Sequence, residues 1–308
     1  MLAFIIELDG EVAMGGRPKV TIGLPFFNPG EYFKDAVRSV FAQTFDEWEL
    51  IAIDDGSTDN TYDLCMRISD PRVKCIRDGK RKGLPARLNE IAARATGDFI
   101  ARMDADDIMH PERLERQVAV LVANESVDVV ATGAYIIDQS GDLLGVYRGK
   151  QPTALDIFAW GGYLHPSIMG RLAWFRENPY SLDVPRAEDR ELFARVVGRA
   201  EFFTIPDPLY VYRWHGHVSS GKLITGYRSE RKVLLKHGPQ KLGWFLTSIL
   251  LIRSIAKEAV VQCASSFGFG GLINQWVGVR HAAALLPEEK SVFGKVMDLV
   301  KAQPVPGW

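Results

Sequence analysis

Three carboxylates that lie close together in the sequence are the residues whose chemistry is easiest to recognise. Asp104, Asp106 and Asp107 fill three of four consecutive positions, directly after an apolar run. Like charges held this close repel one another, and a divalent cation would relieve that repulsion. A solvated acidic turn ahead of the next helix explains the same spacing without a metal. We favour the metal site, because the apolar run predicts a strand that ends at the acids.

Two other groups of charged residues could bind a nucleotide. Asp54 and Asp55 end an apolar run, and the Asp55 carboxylate could accept hydrogen bonds from a nucleobase or a ribose. A turn built around Gly56 is the structural alternative. Arg81 and Lys82 belong to a basic loop that leads into a predicted helix N-terminus. That loop could compensate the charge of a diphosphate, or it could be ordinary solvated surface.

The remaining candidates are a pair of acids and a pair of histidines. Glu188 and Asp189 begin a predicted helix, where one of them could act as a general base or both could complement the helix dipole. The apolar stripe of that helix consists of Leu192, Phe193 and Val196, which follow Asp189 by three, four and seven residues. Asp189 is therefore on the same side of the helix as the stripe and is the better candidate. His215 and His217 could complete an oxygen-rich metal shell, although a lone histidine is more often structural.

Apolar runs alternate with helical patterns through the first half of the chain and would position these side chains. We predict strands at residues 20–24, 49–53, 73–76, 99–103 and 127–132. We predict helices at 33–41, 64–68, 85–95, 111–122 and 186–197. This rhythm is typical of an α/β fold, with a mostly parallel central sheet flanked by helices on both faces. Ligands of such sheets bind beyond the carboxyl ends of the strands, where the acidic groups fall.

Composition and missing motifs exclude several classes of protein. The 308 residues carry a net charge of -1, which gives no reason to expect nucleic-acid binding. The sequence has no P-loop, no strand-linked GxGxxG, no HExxH and no GxSxG. Three cysteines without a CxxC pair predict reduced thiols in a cytosolic setting, with neither a disulfide framework nor a cysteine zinc site. The apolar segment 2–6 is too short for a signal-peptide core, so we expect no secretory address.

Seven segments, taken in order, resemble those of family 2 glycosyltransferases with the GT-A fold. The resemblance extends from about residue 20 to about residue 220 and leaves the region after Gly221 without a family motif. Its most specific segments are VTIGLPFFN at 20–28, SVFAQTF at 39–45, DDGSTD at 54–59, GDFIARMDADD at 97–107 and AEDREL at 187–192, with HPS at 165–167 and YRWH at 212–215.

The resemblance implies a nucleotide-sugar donor, with a UDP-sugar favoured, and a divalent cation, Mn²⁺ or Mg²⁺. It implies inversion at the anomeric carbon by single displacement, which needs no covalent nucleophile. Asp106 matches the family's direct metal ligand, and Asp189 matches its catalytic base. The full set of donor-site residues that we carry over is Pro25, Phe27, Asp54, Asp55, Arg81, Lys82 and Asp104, and the metal set is Asp104, Asp106 and His215.

Two other functions compete with this hypothesis. A sugar-phosphate nucleotidyltransferase would need a glycine-rich basic signature in the first loop, which the segment 25–28 lacks. A nucleotide-sugar-binding protein without catalysis would have no need to keep both Asp106 and Asp189. We expect the acceptor to be a saccharide or a lipid-linked saccharide, in the synthesis of a bacterial surface polysaccharide or glycolipid.

We divide the chain into an N-terminal extension at 1–18, a GT-A domain at 19–222 and a C-terminal helical region at 223–308. Within the domain, 19–125 would bind the nucleotide sugar and 126–222 the acceptor. Uncharged segments at 242–252 and 259–279 are too short or too polar to favour a membrane span. A buried helical layer is the favoured interpretation, and peripheral contact with the inner face of the membrane is the alternative. We therefore expect a cytoplasmic enzyme.

Overall fold

The computed structural model describes residues 19–216, 218–267 and 283–308. The predicted N-terminal extension, His217 and the later part of the uncharged segment 259–279 lie outside the described residues.

The first half of the chain forms four parallel strands, as the apolar runs predict. The strands are β1 (Val20–Phe26), β2 (Trp48–Asp54), β3 (Val73–Arg77) and β4 (Phe99–Arg102), in the order β3-β2-β1-β4. The helices between them are α1 (Tyr32–Phe41), α2 (Thr61–Met66) and α3 (Leu84–Arg94). Every residue of β1 and β2 is buried, because helices cover both faces of a parallel sheet.

The second half extends the same sheet with mixed pairing. It contains β5 (Ile108–Met109), α4 (Arg113–Ala123), β6 (Val129–Ile137), β7 (Leu143–Tyr147), α5 (Ala154–Trp160), a 3₁₀ turn (His165–Ser167), β8 (Met169–Arg171), α6 (Leu172–Glu177), α7 (Glu188–Val196) and β9 (Phe202–Arg213). The sheet continues β4-β8-β6-β9-β5, and β7 pairs with residues 134–137 of β6. β8 is antiparallel to both neighbours, whereas β6 and β9 are parallel. The predicted α/β class, with a central sheet flanked by helices, is confirmed.

Strand register brings distant motifs to one edge of the sheet. Phe26 at the end of β1 lies opposite Asp54 at the end of β2. On the other side of β1, Gly23 lies opposite Arg102, and the Met103 N–H donates to the Gly23 carbonyl at 3.0 Å. The acids that follow β4 therefore emerge beside the loop that follows β1.

The C-terminal region is helical, as predicted, and it folds back on itself. Helix α8 (Ser220–Ser266) reverses direction at Gly243, whose φ of 79° lies in the left-handed region. The hydroxyls of Ser265 and Ser220 are 2.6 Å apart, so the two arms form an antiparallel hairpin. None of the helices among the described residues is long and apolar enough to cross a membrane.

The last helix, α9 (Pro287–Ala302), leads the chain back to the first half of the sheet. Val305 is buried in the core that contains β1 and α1. The Trp308 indole N–H donates to the Leu64 carbonyl at 3.0 Å, at the end of α2. The C-terminus is thus part of the packing of the first half.

The predicted state of the thiols needs correction. Cys65 and Cys75 form a disulfide, with their Cα atoms 6.2 Å apart, whereas Cys263 is free and exposed. Cys65 lies on α2 and Cys75 on β3, and this packed helix–strand pair holds the two residues within disulfide range. The spacing of the cysteines in the sequence does not indicate that Cys65 and Cys75 are close in space. The odd number of cysteines therefore led to the wrong prediction that all three thiols are reduced.

Candidate active site

A cleft of about 310 Å³ lies at the carboxyl ends of β1 and β4. Five residues predicted from the sequence line it together: Pro25, Phe27, Asp104, Asp106 and His215. Asp54, Asp55, Lys82 and Asp189 do not line this cleft, and Arg81 reaches only its rim. The loop after β1, the acids after β4 and the end of β9 therefore build the site.

The three acids after β4 converge on one point. Each of Asp104, Asp106 and Asp107 offers a carboxylate oxygen within 4.8 Å of the others. Burial raises the pKa of Asp104, and the nearby Asp106 charge adds to the rise, while Arg102 opposes it. Burial raises the pKa of Asp107 well above its usual range, and the Asp106 and Asp104 charges raise it further. The cluster is an electrostatic cost that a cation would offset.

The cluster fits a hard divalent cation. The Oδ1 atom of Asp107 accepts the Arg213 backbone N–H at 2.7 Å. Its Oδ2 atom is buried without a well-formed hydrogen bond among the described residues, although the Tyr210 hydroxyl is close enough to offset part of the pKa rise. Carboxylate oxygens with an adjacent imidazole are ligands that suit Mn²⁺ or Mg²⁺.

His215 and Arg213 connect the acids to β9. The His215 Nε2 atom lies 2.7 Å from Asp106 Oδ2, so the predicted metal partners are already in contact. The Arg213 guanidinium donates from Nε to the Asp106 carbonyl at 2.9 Å and lies 4.3 Å from the centre of the Tyr32 ring. Arg213 thereby fixes the backbone of Asp106, and Tyr32 packs against both Arg213 and His215.

An aromatic–cationic pair forms the rim of the cleft. The Arg81 guanidinium lies 3.9 Å from the centre of the Phe27 ring, a cation–π arrangement. Phe27 is 38% exposed, so a flat group could stack on its ring. Lys82 points elsewhere, with its ammonium 2.7 Å from Asp78 Oδ2.

Asp54 and Asp55 are held by the protein itself. Asp54 is fully buried, accepts the Ser57 N–H at 2.8 Å and pairs with Arg77 at 2.8 Å. Asp55 accepts the N–H groups of Lys82 and Gly83 and the Nε–H of Arg87 at 2.9 Å. These bonds fix the basic loop against the start of α3. A nucleoside contact by Asp55 stays a prediction. The Oδ2 atom of Asp55 accepts fewer of these hydrogen bonds than Oδ1 does, so Oδ2 is the better candidate for that contact.

The candidate base lies on the first turn of α7. Asp189 is half-buried, and its Oδ1 atom accepts the N–H of Arg190 at 2.7 Å. Glu188 is buried, and burial raises its pKa, with the Asp189 charge adding to the rise. Glu188 is therefore the more deeply placed of the two acids, whereas Asp189 is the more accessible.

Tyr180 connects α7 with the acidic cluster. Burial raises the pKa of its phenol, and the charges of Asp189, Glu188 and Asp104 raise it further while Arg102 opposes them. The charges of the α7 acids and of Asp104 thus both act on the Tyr180 phenol. Its hydroxyl is 2.8 Å from His165 Nε2, and burial followed by the Arg102 charge lowers the pKa of His165 well below its usual range.

Sequence reasoning did not single out several residues that shape this site. Arg102 pairs with Asp104 at 2.7 Å, Arg213 holds the Asp106 backbone, and Tyr32 supports His215. Arg102 and Arg213 lie inside segments that carried the family resemblance, so position within a motif was the available signal. Tyr32 and Tyr180 had no such signal, because their roles depend on contacts with residues far away in the chain.

The fold has the architecture of GT-A type, and comparison with known proteins gives the family. The family model described as glycosyl transferase family 2 matches residues 21–181. The chain belongs to glycosyltransferase family 2, and the prediction of a glycosyltransferase is confirmed.

Individual relatives extend the comparison. The putative glycosyltransferase EpsE of Bacillus subtilis (strain 168) is 37% identical over 266 residues, covering 81% of this chain and 94% of that protein. The UDP-Glc:alpha-D-GlcNAc-diphosphoundecaprenol beta-1,3-glucosyltransferase WfgD of Escherichia coli is 32% identical over 132 residues, covering 43% of this chain and 51% of that protein.

A solved structure supports the fold. The crystal structure of S. aureus TarS 1-349 in complex with UDP-GlcNAc matches with a TM-score of 0.60. The match has 19% sequence identity and covers 93% of this chain and 82% of that one. At this identity the match shows a common GT-A architecture.

Proposed function

We propose that this protein is a metal-dependent, inverting glycosyltransferase that moves a sugar from a UDP-sugar to an acceptor hydroxyl. The observation that carries the proposal is the convergence of Asp104, Asp106 and Asp107 in a cleft beside the loop after β1. A cluster of carboxylates at this edge of the sheet suits a cation, and the cation would in turn bind the diphosphate of the donor.

The donor would occupy the cleft between the Phe27 rim and the acids. Phe27 with Arg81 offers a face on which a nucleobase could stack, and Pro25 lines the inner wall. The name of WfgD specifies UDP-Glc, and TarS was crystallised with UDP-GlcNAc, which favours a UDP-sugar here. Asp54 and Asp55 would act mainly by shaping the loops around the nucleoside.

Asp104 and Asp106 would hold Mn²⁺ or Mg²⁺, with His215 as a further ligand. When bound, the cation supplies positive charge next to the leaving diphosphate. His215 already contacts Asp106, and Arg213 keeps the Asp106 backbone in place. Both residues would preserve the geometry of the ligand set before the donor arrives.

Asp189 would remove the proton from the acceptor hydroxyl. A hydroxyl is a poor nucleophile, so a carboxylate must accept its proton as the new bond forms. Asp189 is half-buried, and its charge, like that of Asp104, raises the pKa of Tyr180. Glu188 is buried, so Glu188 is less accessible to an acceptor hydroxyl than Asp189 is.

The acceptor would be a saccharide or a lipid-linked saccharide in bacterial surface polysaccharide or glycolipid synthesis. WfgD supports this choice, because its name specifies a diphosphoundecaprenol-linked acceptor. Residues 19–125 would bind the donor, residues 126–222 the acceptor, and residues 223–308 would support α7.

We place the enzyme at the cytoplasmic face of the membrane. The Cys65–Cys75 disulfide would be unusual in the reducing cytosol. Because Cys65 is buried, the test of location is acid quenching of cells followed by alkylation of Cys65 and Cys75 under denaturing conditions. Full labelling of both thiols agrees with a cytoplasmic enzyme, whereas protection of both would place it in an oxidising compartment.

Turnover on a panel of nucleotide sugars tests the proposed reaction. The purified chain should release UDP from a UDP-sugar in the presence of a polyprenyl-diphosphate-linked saccharide. EDTA should abolish that release, and Mn²⁺ should restore it. Nuclear magnetic resonance of the product should show inversion at the anomeric carbon. Pyrophosphate release from a nucleoside triphosphate and a sugar phosphate would identify a nucleotidyltransferase, and binding without any turnover would identify a non-catalytic protein.

A further inference from the structure

The second arm of α8 presents an apolar surface to solvent. Phe245, Ile249, Ile252 and Val260 are between 46% and 77% exposed, and Trp244 at the hairpin tip is 68% exposed. Their spacing puts most of them on one side of the helix. We call this surface, made by the exposed residues from Trp244 to Phe267, the distal face.

No charged residue belongs to the distal face. The charged residues of this arm are Arg253, Lys257 and Glu258, and all three are buried or half-buried. Over these 24 residues the helix is about 35 Å long. Single exposed apolar residues are common on soluble proteins, whereas a continuous uncharged face of this length marks a contact surface.

The first arm of α8 carries a row of cations. Lys222, Arg228, Lys232 and Lys236 are exposed, whereas the acid of this arm, Glu230, is buried. The whole of Ser220–Ser266 contains eight lysines and arginines and two acids, in a chain whose net charge is -1. The hairpin is thus strongly basic although the protein as a whole is not.

Both arms pack on the protein through their inner sides. Val233 and Leu234 of the first arm and Leu250 of the second are buried in one core cluster. The two arms are tied together by Glu258, which pairs with both Arg228 and Arg231. Arg228 and Lys236 of the basic row reach Glu258 and Glu191, whereas Lys222, Lys232 and the distal face are open to solvent.

We propose that the α8 hairpin docks on an anionic lipid bilayer, with the distal face in the interface and the basic row against the headgroups. An uncharged apolar helix face flanked by lysines is the arrangement that binds such a surface. The tip residues Trp244 and Phe245 suit the headgroup boundary, where aromatic rings accumulate. The helices do not reach the length and hydropathy needed to span the bilayer.

Docking would also orient the candidate base. Arg190 on α7 lies 2.9 Å from Glu230, and Glu191 on α7 lies 3.1 Å from His237. The first arm of the hairpin therefore holds the helix that carries Asp189. This consequence rests on the proposed function, whereas lipid docking itself does not.

Vesicle co-sedimentation of the full chain, without donor or acceptor, tests the docking. The wild type should bind vesicles of phosphatidylcholine with phosphatidylglycerol and bind phosphatidylcholine vesicles more weakly. The double variant Ile249→Asp/Ile252→Asp should lose about tenfold or more in affinity for both compositions. Lys222→Glu/Lys232→Glu should lose about tenfold or more on the anionic vesicles alone, an effect that salt should mimic.

Matched controls separate docking from general effects of charge. Met66→Asp/Leu144→Asp adds the same charge at exposed apolar positions outside the hairpin, and Lys290→Glu/Lys295→Glu reverses exposed lysines on α9. Both controls should bind vesicles like the wild type. Equal binding by the distal-face variant and its control would overturn the proposal. The proposal would also be overturned if the wild type formed a dimer and did not bind vesicles, and if the distal-face variant were monomeric. That result would identify a second copy of the chain as the partner of the distal face. Turnover of a short water-soluble acceptor should be unchanged in all four variants, which keeps this result separate from the proposed activity.

Discussion

At the scale of single residues, the acids after β4 are arranged for binding at the expense of stability. Asp107 is buried with a pKa raised by burial and by its two acidic neighbours. Arg102, 2.7 Å from Asp104, compensates only one side of the cluster. Asp106 faces the cleft with His215 as its contact. The affinity for a cation should therefore depend most on Asp106.

We predict that Asp106→Asn removes the effect of metal on donor binding. The neutral amide keeps the shape of the side chain but is a poor ligand for a hard cation. Calorimetry should give the variant the same UDP affinity with and without Mn²⁺, at the level of the metal-free wild type. Asp142→Asn, an exposed acid in a turn outside the cleft, should keep the wild-type response. A wild-type metal response in Asp106→Asn would remove Asp106 from the ligand set.

A second prediction at this scale separates Asp189 from Glu188. Asp189→Asn cannot accept a proton, so single-turnover rates should fall by about 10²–10⁴-fold while donor affinity is kept. Glu188→Gln should reduce the rate less, because Glu188 is buried and less accessible to an acceptor than Asp189 is. Single-turnover kinetics and donor titration of both variants make the comparison. A fully active Asp189→Asn beside an inactive Glu188→Gln would transfer the role of base to Glu188.

At the scale of elements, helix α7 depends on the hairpin for its position. Glu191 is buried and is contacted by His237 at 3.1 Å, Arg195 at 3.2 Å and Lys236 at 3.4 Å. A further bond joins the Lys241 ammonium to the Val197 carbonyl at 2.6 Å. Two elements that are far apart in the sequence are thereby held together next to the candidate base.

This contact predicts a pH-dependent contribution to stability. Burial alone would raise the pKa of Glu191, but His237, Arg195 and Lys236 lower it to about 2. A lowered folded-state pKa stabilises the protein above the unfolded value of 4.5, and that contribution is lost as the pH falls from there towards 2. Glu191→Gln should lower the free energy of unfolding by about 3 kcal/mol at pH 6.

Urea denaturation over a pH series measures that contribution. The difference between Glu191→Gln and the wild type should shrink as the pH falls below 4.5. Glu31→Gln is the control, because the Glu31 side chain is 82% exposed and pairs with Lys34 at the surface. A Glu191→Gln difference that stays constant across the series would show that its ionisation does not stabilise the contact.

At the scale of the whole molecule, the C-terminus completes the first half of the fold. The Trp308 ring lies 6.3 Å from the Phe33 ring of α1, and its indole N–H bonds the end of α2. The Ser69 N–H donates to the Pro306 carbonyl at 2.9 Å. The helical region after residue 222 thus contacts both halves of the sheet.

We predict that Trp308→Ala lowers the free energy of unfolding by about 1–2 kcal/mol, from lost apolar burial and one hydrogen bond. Trp244→Ala is the matched control, because the Trp244 ring is 68% exposed at the hairpin tip. Chemical denaturation should separate the two variants clearly. Equal stability would show that the C-terminal segment does not pack firmly on α1 and α2.

Sequence alone determined the elements whose signal is local. The runs at 20–24, 49–53 and 99–103 became buried strands, because a continuous apolar segment is stable only between two covered faces. The acids at the ends of two of those strands could be placed at one edge of the sheet from sequence alone, because the carboxyl ends of parallel strands lie at the same edge. Five of the residues carried over from motifs line one cleft, namely Pro25, Phe27, Asp104, Asp106 and His215.

Tertiary structure decided what depends on contacts between distant residues. Strand β9 was not predicted, because Pro206 and Pro208 interrupt its pattern. The sheet accommodates these prolines through shifts in register between β9 and β6 at Thr132 and Gly133. The partners of Asp55, the Cys65–Cys75 bond and the packing of Trp308 on α2 follow from the fold, since each joins residues that no local period relates. Hydrophobic periodicity specifies which face of an element is buried, whereas only the packed chain specifies what buries it.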